Sequence, residues 1–374
     1  MKVLHFFKTY YPETYGGVEE VIYQLAENSP RYGVDAQVLA LSRKGSVWSE
    51  QYHNHTVHRS RTNFYFASTS FSLSAFRDFA ALARDVDVVH YHFPWPFMDL
   101  VHFASRIRKP SIVTYHSDIV KQQTLLRLYE PLQNKFLTSV DRIVATSPNY
   151  AVSSSVLSRF KNKVSVIPIG IEDAFLSVVP ERETLEAWRA RLPEKFFLFI
   201  GALRYYKGLS YLLEAAHTAR YPIVIAGTGP DEAKLKAKAR ALGLDKVFFI
   251  GAVSSQDKSA LLRLCYAFVF PSHIRSEAFG IALLEAAMHG KSMISCEIGT
   301  GTSYVNIDGI TGLTIPGANS GSLALAMQTL WSEPEKAVLY GKQARHRYLS
   351  LFTADAMTGG YARLYQTVVH LPSC

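Results

Sequence analysis

A chain of 374 residues, 48% apolar and 19% charged, is long for one compact domain and comfortable for two, and no low-complexity run argues for disorder. A net charge of +9 favours anionic partners such as nucleotides or a phospholipid surface, whereas no RNP-type aromatic motif, zinc finger or basic helix supports nucleic acid. Cys265, Cys296 and Cys374 are odd in number and far apart, which argues against a disulfide framework or a CxxC zinc site and fits a reducing cytosol. The opening MKVLHFFKTYYPE lacks a secretory h-region, and no stretch approaches the roughly 18 apolar residues of a spanning helix.

Short apolar runs alternate with helical patterns from the start. KVLHFF (2–7) reads as a strand, followed by a helix over 16–33 that opens on Gly16 and Gly17 and carries Val18, Val21, Ile22 and Leu25 on one face. Strand-like runs follow at 35–41, 55–61, 86–93, 110–116, 141–147 and 163–170. A polar stretch, PERETLEAWRARLPEKF, then interrupts the pattern, which restarts at 196–203, 221–227, 246–253, 267–272, 291–299 and 311–317. The fold class is therefore α/β, with two doubly wound Rossmann-like domains in tandem: 1–175, and 185–354 after a boundary near 172–190. The tail is helical, with Tyr361, Leu364 and Tyr365 on one face, and its last helix, 355–374, is expected to pack back on the first domain. Ligands in such sheets bind outside the carboxyl ends of the strands.

The segments that follow the second-half strands carry the chemistry. After FFLFIGAL come Arg204 and Lys207, then Gly208 and a helix start; two cations where free amides and a helix dipole point outward suit an anion, and a solvated turn is the plain alternative. Gly227 and Gly229 make a GxG that lacks the third glycine of a dinucleotide fingerprint. After AFVFPS comes SEAFGIALLE, with Glu277 just before a helix that starts around Phe279 and Gly280, and Glu285 more than a turn inside it. Each carboxylate can accept two hydroxyls of a sugar or ribose; alone, each would read as a capping acid or an exposed helix residue.

Glu277 and Glu285 also form an E-x7-E spacing, and with YYPETYGGVEEVIYQLA, DVVHYHFP, TYHSD, RIVATSP, VIPIGI, RYYKGL, AGTGP and TGLTIP the chain resembles the GT-B-fold retaining glycosyltransferases of family 4 over nearly its whole length. The flavour is that of bacterial O-antigen and exopolysaccharide mannosyltransferases. The resemblance implies two domains facing each other across a cleft, with Glu285 on the ribose and Glu277 on the donor sugar. It implies Ala278, Phe279 and Gly280 lining the sugar and diphosphate, Arg204 and Lys207 neutralising that diphosphate, and Gly227 and Val253 in the donor site. Gly16 and Gly17 become the first-domain loop over the donor, and His116 stands beside the reacting sugar. Many members carry their arginine five residues before the lysine, where this chain has Ala202, so Arg204 departs from the pattern.

The expected reaction moves a hexose, mannose from GDP-mannose foremost and a UDP-hexose next, onto a lipid-linked glycan. No cofactor or divalent metal is expected, and the setting is cytoplasmic, in peripheral contact with an anionic membrane. A non-catalytic sugar-nucleotide-binding subunit is the competing class. Other features read as decoys or open cases. Asp85 and Asp87 mimic a DxD metal motif but lead into a strand. His53, His55 and His58 read as solvated positions on an edge strand. His90 and His92 share a strand face from which one could reach an acceptor, and Trp95-Pro96-Phe97 reads as exposed loop aromatics that could stack on a sugar or meet a membrane, with local packing the equal alternative.

Overall fold

The computed structural model describes residues 1–44, 48–66, 69–119, 123–172 and 180–371. Cys374 and part of the expected interdomain boundary lie outside these residues. The chain divides into two compact units, Met1–Gly170 with Ala354–Cys374, and Ile171–Thr353.

The first unit is built on an eight-stranded sheet. Its strands are β1 (Lys2–Phe6), β2 (Asp35–Ser42), β3 (Ser49–Tyr52), β4 (His55–Arg61), β7 (Val88–Phe93), β8 (Ser111–Tyr115), β9 (Arg142–Ala145) and β10 (Val164–Val166), in the order β10-β9-β8-β7-β1-β2-β4-β3. All pairs are parallel except β3 with β4. β7 and β8 are buried along their whole length, as expected where helices cover both faces of a parallel sheet. A separate ribbon pairs β5 (Phe64–Phe66) with β6 (Thr69–Phe71). The last helix, Ala354–Val369, belongs to this unit and buries Tyr361 and Tyr365 there.

The second unit holds β11 (Phe197–Ile200), β12 (Ile223–Ala226), β13 (Val247–Gly251), β14 (Ala267–Phe270), β15 (Met293–Glu297) and β16 (Gly312–Pro316), all parallel, in the order β13-β12-β11-β14-β15-β16. Phe197, Phe199, Val269 and Ile294 pack with Leu212, Leu213 and Met327 of the flanking helices into one core. The polar stretch expected to mark the domain boundary is instead partly a helix, Arg182–Arg191. Half of its residues are charged, and only Trp188 is buried, its indole N–H donating to Asp257 Oδ1 at 2.8 Å.

Among the parallel strands of each sheet the order reverses once, between β1 and β7 in the first and between β11 and β14 in the second. At such a point the connections leave to opposite faces and open a crevice at the carboxyl ends.

Candidate active site

In the second unit the crevice is formed by the segments after β11 and β14. The first runs through Arg204 and a short 3-10 turn, Tyr205–Lys207, into the helix Leu209–Ala219. Gly208 makes the corner with φ of 70°, and a Cβ there would stand 1.9 Å from the Pro271 carbonyl oxygen. Only glycine lets the two segments touch backbone to backbone. The second segment runs from Pro271 to Gly280, whose φ of 91° caps the helix Ile281–Met288. His273 N–H donates to the Tyr206 carbonyl at 3.1 Å and ties the two together.

This interlock brings Lys207 and Glu277 into an ion pair, although 70 residues separate them in sequence. Ser272 Oγ–H also donates to Glu277 Oε2 at 3.1 Å, and the Lys207 ammonium stands 4.7 Å from the Phe270 ring centroid. Two helix N-termini therefore flank a cation and a carboxylate at the switch point, which suits a ligand carrying both phosphates and hydroxyls. Arg204 is exposed. Phe279 turns its ring into the core, 6.1 Å from Phe352, so only its backbone and that of Gly280 are left to line a ligand; Ala278 is half-buried. Gly227 follows β12 with its N–H on the Gly251 carbonyl, and half-buried Val253 follows β13. Glu285 pairs with Lys258 of the helix Ser255–Leu264, beside Ser255, Leu262 and His289. Sequence reasoning missed Lys258 and Ser272. Ser254, which caps that helix through a capping box with Asp257, was the available signal for where Lys258 would stand.

In the first unit the crevice lies beyond β1 and β7. Gly16 and Gly17 are exposed at the start of the helix Gly17–Asn28. Thr9 and Thr14 both donate to Glu19 Oε1, at 2.8 and 3.1 Å, and the Glu19 carboxylate fills the place a Gly16 Cβ would take. Lys8, also missed, sits beside this loop; burial lowers its pKa and the Glu19 charge opposes that shift.

His116 follows β8, with its N–H on the Phe93 carbonyl. It ends a buried file of imidazoles: His5 Nδ1 to His92 Nε2 at 3.1 Å, and His92 Nδ1 to His116 Nε2 at 3.0 Å. Burial lowers the pKa of His5 and of His116 to about 3, and holds His92 well below its ordinary value with the neighbouring histidines adding to the effect. Each ring is thus neutral and has one N–H. His5 Nε2 is buried with no partner among the described residues. A bare lone pair there costs less than an orphaned N–H, so the file runs His5→His92→His116 and leaves the His116 Nδ1–H as a donor. His116 keeps 6% of its surface, while His5 and His92 keep none.

Three expectations are corrected. His90 and His92 reach no open space: His90 is bonded to Tyr365 OH at 2.8 Å and Thr114 Oγ1 at 2.7 Å. His5, His90 and His92 lie close enough to hold a metal ion, yet their nitrogens, His5 Nε2 excepted, are already paired. β4 is not an edge strand, because β3 covers it; His55 is buried against Tyr10 OH (2.9 Å) and Glu27 (3.3 Å), and only His53 lies in a turn. Trp95 and Phe97 are buried, with the Trp95 indole N–H on the Ser70 carbonyl, because Pro96 starts the helix Pro96–Ser105 at once and turns both rings inward. Asp87 is a strand-start residue, as its sequence context suggests, accepting from the Lys2 backbone N–H at 2.7 Å.

Comparison with known proteins gives a consistent result. The family model described as Glycosyltransferase Family 4 matches residues 15–175, and that of Glycosyl transferases group 1 matches residues 181–347. The chain is 54% identical to D-rhamnosyltransferase WbpZ of Pseudomonas aeruginosa, over 95% of this chain and 93% of that protein. It is 47% identical to O-antigen chain mannosyltransferase C of Escherichia coli over 100% of both. Among solved structures, sucrose-phosphate synthase from Thermosynechococcus elongatus superposes with a TM-score of 0.80 at 18% identity, covering 98% of each chain. Anabaena HepE in complex with UDP and glucose gives 0.76 at 18% identity, covering 98% of this chain and 100% of that one. At that identity the structural likeness speaks to the fold alone.

Proposed function

Because the chain belongs to the GT-B-fold glycosyltransferases of family 4, we propose that it transfers mannose from GDP-mannose to a lipid-linked glycan, with retention, in the synthesis of a bacterial O-antigen. The observation that carries the nucleotide-sugar reading is the Lys207–Glu277 pair between two helix N-termini at the switch point of the second sheet.

The chemistry follows from charge. Departure of the nucleoside diphosphate breaks the C1–O bond and leaves negative charge on a phosphate oxygen. Lys207 and the amides around Gly208 and Gly280 face that charge, with Arg204 as a further cation, so no metal is called for. Glu277 accepts from sugar hydroxyls and Glu285 from ribose hydroxyls, Lys258 giving way to the ligand. The acceptor oxygen attacks C1 from the face the diphosphate leaves, and its proton passes to the departing phosphate oxygen, so no side-chain base is needed. His116, neutral with an outward N–H, donates to a sugar oxygen.

A second reading is favoured by the 54% identity with a D-rhamnosyltransferase. Rhamnose of the manno configuration differs from mannose only in lacking the C6 hydroxyl, so the same grip on the ring serves both. The test is transfer from GDP-mannose, GDP-D-rhamnose and UDP-glucose to membranes carrying lipid-linked precursors, with the anomeric configuration of the product read by NMR. Transfer from UDP-glucose alone overturns the guanine assignment, an inverted product overturns retention, and nucleotide binding without transfer makes the chain a non-catalytic subunit.

A further inference from the structure

The ribbon β5–β6 leaves the carboxyl end of β4, the same edge of the first sheet on which His116 stands. It presents Phe64, Tyr65 and Phe66 to solvent with 57%, 54% and 63% of their surface exposed, and Leu73, just beyond it, with 76%. Successive strand residues point to opposite faces, so three consecutive exposed aromatics mean that both faces of β5 stand clear of the core. Three large consecutive rings in water mark a surface built to be covered.

The ribbon is also held in shape. Phe64 stacks on Phe71 with centroids 4.5 Å apart, Phe71 meets Phe97 at 5.3 Å, and Asn63 N–H donates to the Phe71 carbonyl at 2.8 Å. Asn63 Oδ1 in turn accepts from Leu73 N–H at 2.7 Å. The rings are therefore displayed from a base fixed to the unit's core.

Charge says what covers them. No acidic residue occurs between Glu50 and Asp78, and the exposed Arg43, Lys44 and Arg61 surround the base of the ribbon, with the Arg43 guanidinium 4.2 Å from the Tyr65 ring centroid. Aromatic rings flanked by cations are the pattern of an element that settles at a bilayer interface, with rings at the headgroup–acyl boundary and cations on anionic headgroups.

We propose that the exposed rings of β5, with Leu73 and the basic residues Arg43, Lys44 and Arg61, form the surface by which this glycosyltransferase seats itself on an anionic lipid bilayer. The inference deepens the proposed function, since it rests on the reading that the acceptor is lipid-linked, and it puts the bilayer at the carboxyl edge of the acceptor-side sheet.

The test is cosedimentation of the full chain with vesicles of phosphatidylcholine mixed with phosphatidylglycerol, against vesicles of phosphatidylcholine alone. Wild type should pellet with the anionic vesicles and be released by salt. Tyr65→Ser with Phe66→Ser should weaken partition at least about tenfold, and Arg43→Ala about fivefold. Because these side chains are exposed, the variants should unfold at the wild-type temperature and turn over a water-soluble acceptor at the wild-type rate. Equal pelleting of variants and wild type overturns the proposal, as does equal partition onto neutral vesicles. Self-association of wild type without lipid, lost in the variants together with any vesicle preference, assigns the surface to a second copy of the chain instead. If wild type binds vesicles but transfers no sugar, the function falls and the membrane surface stands.

Discussion

Lys207→Ala should cost more in turnover than in donor affinity. Lys207 lies between two helix N-termini and is held by Glu277, itself fixed by Ser272, so the ammonium is aimed before the donor arrives. A bound diphosphate is already charged, and the two helix ends, each contributing about 0.3–1 kcal/mol, continue to hold it. Bond cleavage adds charge at the leaving oxygen, where losing one preorganised donor typically costs about 100- to 1000-fold, or about 2.7–4 kcal/mol. The variant also leaves the Glu277 carboxylate facing the diphosphate without its cation. Glu277→Gln in the Lys207→Ala background should therefore lose less than it does alone, by a coupling of about 0.5–3 kcal/mol. The assay is initial rate against GDP-mannose concentration at saturating acceptor for wild type, both single variants and the double. If only the KM rises in Lys207→Ala, the residue merely holds the donor and the leaving-group role passes to Arg204 or the amides; if the losses add, the pair does not act as a unit.

Glu285→Ala should weaken GDP binding in calorimetric titration, and unchanged affinity would return Glu285 to a pairing role with Lys258. Transfer should survive excess EDTA; loss that manganese restores would bring Asp85 and Asp87 back into contention. Stability should fall with acid: His5 and His116 have folded pKa values near 3 against an ordinary 6.5, so the unfolded chain takes up more protons as pH drops below 6.5. Each such histidine removes about 2 kcal/mol between pH 7 and pH 5, and the loss continues until pH falls through 3. The measurement is the urea midpoint at the two pH values, and an unchanged midpoint would show that the file is already hydrated.

The sheets were legible because parallel strands covered on both faces read as unbroken apolar runs; β7 and β14 stand out as VVHYHF and AFVF. The helix Arg182–Arg191 was not, because one buried tryptophan gives no periodicity. β3 and the β5–β6 ribbon were missed for a related reason: SEQY alternates polar residues on an edge, and FYF is exposed throughout. Glu277, Lys207 and Glu285 could be picked out by residue type and spacing. Their partners Ser272 and Lys258 could not, since each is fixed by a packing of segments that no local pattern records. His5 was hidden in the same way: only the register His5 to His90 between β1 and β7 brings it to the other imidazoles.

The contact of Gly208 with the Pro271 carbonyl bears on how this enzyme can diverge. Two stretches of chain that are far apart in sequence share one van der Waals surface of bare backbone, so neither can lengthen, shorten or change its corner residue by itself. A duplicated copy drifting toward a new donor would find this corner frozen. Its room for novelty lies in the side chains that surround the corner, the neighbours of Glu285 and the exposed position 204, where a change moves no main chain.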